Sequence, residues 1–174
     1  MMKRALSLLV LCAMPTSAMA QAQCLTAPEA EAVTLVALPD IIREMGRVCT
    51  ALPAGSLIRR NTFINKFRGE ADRAWPAARA AIAKLADPRI EMLLTSDYAR
   101  PLVTSLITLQ IVGRVQTSDC PTIDRIVTLL EPLPPRNVAG VVVASLQHLR
   151  AEKTRGATPV AEVPDLPVCS DARR

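Results

Sequence analysis

The sequence predicts an all-α, single-domain fold: a compact bundle of about six to eight short helices, disulfide-stabilised, with a Pro-rich C-terminal tail. Three observations predict it. Apolar residues recur at spacings of three and four along most of the chain, which is the helical period. Prolines stand repeatedly where helices start. Four cysteines remain once an N-terminal export signal is set aside, enough for two bridges.

Residues 1–20 read as a cleaved signal peptide. Lys3 and Arg4 form a basic start, Ala5 to Met14 is apolar apart from Ser7, and Ala18-Met19-Ala20 sets small residues at both cleavage subsites, so processing is expected after Ala20. The apolar stretch is about ten residues, half of the roughly 20 that a membrane-spanning helix needs. Cys12 lies inside that stretch and Cys24 follows Gln21-Ala22-Gln23, so neither has the context of a lipoprotein anchor. The expected destination is the periplasm or the medium.

Residues 21–155 then form the helical domain and 156–174 the tail. A chain of this length buries about 68 to 70% of its unfolded surface, enough for one self-sufficient core. Without Lys3 and Arg4 the basic count falls from 21 to 19 against 16 acids, and the net charge from +5 to +3. Sixteen of those 19 are Arg, a bias that a codon preference for Arg, Ala, Pro and Val explains without a phosphate-binding role. Phe63, Phe67, Trp75 and Tyr98 are the only aromatics. Nucleic acids and glycans, which stack on aromatic rings, are therefore disfavoured partners.

Thr26-Ala27-Pro28-Glu29 has the residues of a capping box with a first-turn proline, so a helix is expected from about Ala27 to Leu38. Pro39 is expected to start a second, to about Cys49, with Ile41, Ile42, Met45 and Val48 on one side. Leu52 to Ser56 reads as a turn, with Ser56 as cap. From Leu57 to Leu85 the residues Phe63, Ile64, Phe67, Ala71, Ala74, Trp75, Ala78, Ile82 and Leu85 form an apolar stripe. Pro76 interrupts it, predicting a kink after Trp75 or two helices meeting there.

Asp87-Pro88 opens a short helix to about Thr95, and Ser96 or Asp97 begins the next. Its body, Pro101 to Val115, is apolar nearly all round and reads as the central buried helix. Asp119-Cys120-Pro121 opens a helix carrying Ile123, Ile126, Val127, Leu129 and Leu130, which the segment EPLPPRN ends. Arg136 to Glu152 reads as the last helix. Its valines favour strand, but interleaved Ala139, Gly140, Ala144 and Ser145 and the lack of a partner strand favour helix.

Cys24, Cys49, Cys120 and Cys169 are an even set in an oxidising compartment, so two disulfides are expected. Their spacings and the single histidine, His148, do not suit a metal. Four cysteines allow three connectivities. Nearest-neighbour pairing, Cys24 with Cys49 and Cys120 with Cys169, is the expectation, and it requires the chain to reverse near Pro39 because a straight helix would hold Cys24 and Cys49 about 37 Å apart. Cys169 would tie the tail back.

No motif for catalysis, a cofactor or a metal stands out. Ser56, Ser105 and Ser145 lack a GxSxG context, Gly-rich phosphate loops and acidic calcium loops are absent, and Glu70 with Asp72 or Glu91 with Asp97 have no spacing suited to paired-carboxylate chemistry. Charge is concentrated instead: residues 57–89 hold eight basic side chains against three acidic ones. Phe63, Phe67 and Trp75 flanked by Lys66, Arg73 and Lys84 form the pattern of a surface that lies on anionic membrane. The same pattern fits a bundle helix whose long cations flank its buried face.

The segments CLTAPEAEAV, CTALPAG and LEPLPPRNVAG, behind a signal peptide, resemble small uncharacterised exported proteins of alphaproteobacteria. That resemblance implies an all-helical periplasmic protein and supplies no activity. Saposins also pair helices with disulfides, but use six cysteines in a shorter unit. The expected function is a non-enzymatic periplasmic or secreted protein acting by binding an envelope protein or as a structural component. The alternative is binding of lipid or another apolar ligand at an anionic membrane surface through residues 57–85.

Overall fold

The computed structural model describes residues 24–156 and 167–169; the expected signal segment with Cys12 and most of the expected tail lie outside the described residues. Among the described residues the order is α1 (Ala27–Val48), α2 (Asn61–Asn65), α3 (Arg68–Leu85), α4 (Pro88–Leu94), α5 (Ala99–Val112), a 3₁₀ turn (Thr117–Asp119), α6 (Cys120–Leu130) and α7 (Pro135–Thr154). This is the all-helical architecture that the periodicity predicts, and the valine run is helical within α7.

The central helix is α1, not the segment after Pro101. It buries Ala30, Ala32, Leu35, Val36, Ala37, Leu38, Ile42 and Met45, and α3, α5 and α7 pack around it. Its apolar residues point several ways because it has neighbours on several sides. Pro39 lies inside it, and the expected break there does not occur. Proline costs one hydrogen bond and a steric clash, about 3 kcal/mol. Burying Leu35, Leu38, Ile42 and Met45, at roughly 1.5–3 kcal/mol each, outweighs that and holds both halves in one helix.

The continuous α1 overturns the nearest-neighbour disulfides. At 1.5 Å per residue its 22 residues place Cys24 and Cys49 at opposite ends, about 33 Å or more apart. The bridges are Cys24–Cys169 and Cys49–Cys120, with Cα–Cα distances of 5.0 and 5.6 Å. The first is reinforced by a short parallel pairing: the Leu25 amide donates to the Pro167 carbonyl at 2.6 Å, and the Cys169 amide donates to the Leu25 carbonyl at 2.7 Å. Two disulfides fit an oxidising, extracytoplasmic location. No helix among the described residues is long and apolar enough to cross a membrane.

Within residues 57–85 the chain breaks at Lys66 and Phe67, between α2 and α3, and not at Pro76. Pro76 is exposed inside α3, as is Asp72, four residues before it, so the carbonyl that loses its partner is on the solvated side. Ala71, Ala78 and Ala81 face α1 and let the two helices approach closely.

Gly46 is where α1 meets the loop before α2. A Cβ there would lie 2.7 Å from the Ile58 carbonyl oxygen. Alanine in a helix normally gains about 1 kcal/mol over glycine, but overpacking against backbone costs about 1–3 kcal/mol. Gly46→Ala is therefore expected to destabilise the fold, read as a lower urea midpoint; Gly69→Ala, with open space around it, should stabilise.

Candidate functional site

Of the residues expected to form a membrane-facing surface, Phe63 and Phe67 are used inside the fold, Lys66 and Trp75 are half-buried, and Arg73 and Lys84 are exposed. Phe63 and Phe67 are buried, Phe67 with no exposed area, and their rings meet edge to face at 5.1 Å. They belong to the core, because the break at Lys66 turns both rings inward. The Lys66 ammonium lies 4.7 Å from the Phe63 ring centroid and donates to the carbonyls of Leu133, at 2.8 Å, and Glu131. It neutralises the negative end of α6. Burial pushes its pKa down, opposed by the Glu131 charge. Trp75 is half-buried among Ala32, Val36 and Ala78. Arg73 pairs with Glu70, which also meets Arg136 at 3.1 Å, and these two guanidinium groups hold the Glu70 carboxyl below its usual range.

Lys84 reaches the start of α1, donating to Glu29 at 2.7 Å. The Thr26 amide and hydroxyl donate to the same carboxylate oxygen at 2.8 and 2.9 Å. The Lys84 hydrogen bond is the largest cause, followed by those from Thr26, and together they lower the Glu29 pKa to about 2. Because this pKa lies below the unfolded value of 4.5, the carboxylate contributes stability above pH 4.5 and loses it as pH falls towards 2. The stability difference between wild type and Glu29→Gln should be constant near neutrality, shrink from pH 4.5 to 2, and shrink with salt because the pair is partly exposed.

The exposed apolar surface is elsewhere, on the helix expected to be buried. In α5, Thr104, Thr108 and Val112 turn inwards. On the opposite side Tyr98 (80% exposed), Leu102, Leu106 (60%) and Leu109 (74%) run at spacings of four, four and three, in line along the helix. Met92 and Leu93 in α4 are exposed just before them. Between Arg100 and Arg114 there is no charged residue. The all-round apolar pattern of LVTSLITLQIV thus reflects two faces, one packed and one open. The inward threonines were the signal: small side chains on one side fit close packing against α1, leaving the leucines outward.

Leu109 also borders a groove of about 500 Å³ between α1 and α5, which Asp40, Arg43, Glu44 and Arg47 line from α1. Its two carboxylates are ion-paired, Asp40 with Arg43 and Glu44 with Arg47. Glu70 and Asp72 engage Arg73 and Arg100. His148 is exposed on α7. Ser56 is buried and donates to Asp124 at 2.5 Å, tying the loop before α2 to α6. Among the described residues no group of three or more His, Cys, Asp or Glu side chains could hold a metal ion.

A second apolar feature lies between α1, α6 and α7: a cleft of about 150 Å³ whose lining, including Leu38, Met45, Phe63, Ile123 and Val142, is apolar throughout. Comparison of the chain with models of protein families, with curated proteins and with solved structures returns no match.

Proposed function

We propose that the chain is an exported, non-enzymatic binding protein of the bacterial envelope, processed after Ala20, that docks a helical protein partner on the open face of α5. The uncharged stripe Tyr98, Leu102, Leu106 and Leu109 carries this reading. Exposed apolar side chains aligned on one helix face mark an interaction surface, and Met92 and Leu93 extend it along α4. The partner's complementary feature is an apolar helix face without charge, since any unpaired charge set against residues 101–113 would be desolvated without a partner.

Membrane docking by this face has less support, because helices that lie on anionic membrane carry Lys and Arg on their flanks, none occurs between Arg100 and Arg114, and Arg43 and Arg47 beside Leu109 are ion-paired with Asp40 and Glu44. The cation-rich segment 57–85 has its phenylalanines in the core. Leu106→Glu places a charge at the centre of the exposed stripe, where it is solvated in the free protein and buried in a complex. It should leave the unfolding free energy within about 0.5 kcal/mol of wild type while abolishing capture of the partner by in vivo cross-linking, and any self-association in sedimentation velocity. Equal cross-linking by both proteins would refute the docking face.

A further inference from the structure

We propose that the apolar cleft beneath α6 binds the end of an alkyl chain of about six carbons, or a ring of that size, with any polar group left outside. The site is separate from the α5 face and does not depend on it. Its volume, about 150 Å³, matches that of a protein cavity known to hold benzene. Water fits by size, but an ordered water needs two to four polar partners, and every residue lining the cleft is apolar. Hydrocarbon is the occupant for which nothing in the lining is left unpaired.

The sequence of α6 supplies an approach. Ile126 and Leu129 are exposed, Ile123 and Leu130 are half-buried and line the cleft, and Val127 is buried within it. One side of the helix therefore grades from solvent to core without crossing a charge. The helix is secured near its two ends: Cys120 is bonded to Cys49 and Asp124 accepts from Ser56, while Lys66 holds the Glu131 and Leu133 carbonyls. Local opening between those fixed points admits a chain end without unfolding the bundle.

The probes are 1-hexanol and benzene, with 1,6-hexanediol as the polar control, titrated into the oxidised mature protein. The expected result is saturable methyl chemical-shift change centred on Ile123, Val127 and Val142, and a rise in Tm with 1-hexanol and with benzene but not with the diol. Val142→Phe, which fills the cleft from its rim, should weaken binding at least about tenfold. Should Val142→Phe not fold, Val142→Leu takes its place, with a smaller loss of affinity in the same direction. Leu106→Glu should bind as wild type does. No saturable binding, wild-type affinity in the folded cleft-filling variant, or binding lost with Leu106→Glu would each overturn the proposal.

Discussion

Alanine at both Cys49 and Cys120 should lower the unfolding free energy by about 4 kcal/mol, the chain-entropy value for a closed loop of this length, whose ends are 71 residues apart. With a urea m-value of about 2 kcal/mol/M, the midpoint falls by about 2 M. Both sulfurs sit in the core, at the end of α1 and the start of α6, so the bond has no way to open locally while the fold persists. The Cys24–Cys169 bridge closes the longer loop, at 145 residues, and the entropy argument alone ranks it higher, at about 5 kcal/mol. The structure reverses that order. Cys169 lies on a short extended segment held by the isolated Leu25 pairing and by contacts from Gln147 and Arg150. Without the bridge this segment can fray while α1 to α7 remain packed, so the loss appears as local hydrogen exchange at Leu25 and Cys169 and only partly in the global midpoint. Non-reducing peptide mapping checks the pairing beforehand: a Cys24–Cys49 peptide would contradict it.

The elements that local chemistry determines were legible. Thr26 and Glu29 mark the start of α1, the three- and four-residue spacing marks most helices, and the even cysteine set marks two bridges. Where the structure departs from local rules, tertiary burial decides. Pro39, expected to start a second helix, lies inside α1 because core contacts flank it, and Pro76, expected to mark a kink or a junction of two helices, lies inside one helix whose freed carbonyl faces water. The nearest-neighbour disulfide pairing depended on a reversal near Pro39. An apolar pattern all round residues 101–115 predicts burial only where each side has a partner; α1 covers one side of α5, and Leu102, Leu106 and Leu109 remain outside. Of the two readings of residues 57–85, the bundle helix with a buried face fits Phe63 and Phe67, which are in the core, while Trp75 is half-buried. A stripe flanked by cations looks the same whether it faces a bilayer or a core, and only the packing distinguishes them.

That distinction gives Phe67→Ala its expected outcome. The ring is fully buried, packs against Phe63, and lies 5.6 Å from the Lys66 ammonium. Its removal loses the transfer free energy of the ring and leaves a cavity, together about 3–5 kcal/mol. Lys66 loses one of two aromatic neighbours at the same time, but still has Phe63 and two carbonyls, so the added cost of the cation–π contact is about 1 kcal/mol or less. A double-mutant cycle with Lys66→Met isolates that smaller coupling. Trp75→Ala, at a half-buried site, should cost clearly less than Phe67→Ala despite removing a larger ring. If residues 57–85 instead offered their aromatics to a bilayer, the order would invert: both substitutions would leave the urea midpoint nearly unchanged and would weaken co-sedimentation with anionic liposomes at low salt. Equilibrium unfolding of the two variants under the same conditions therefore decides between a core ring and a surface one, and the position of Phe67 at the turn from α2 into α3 requires the core.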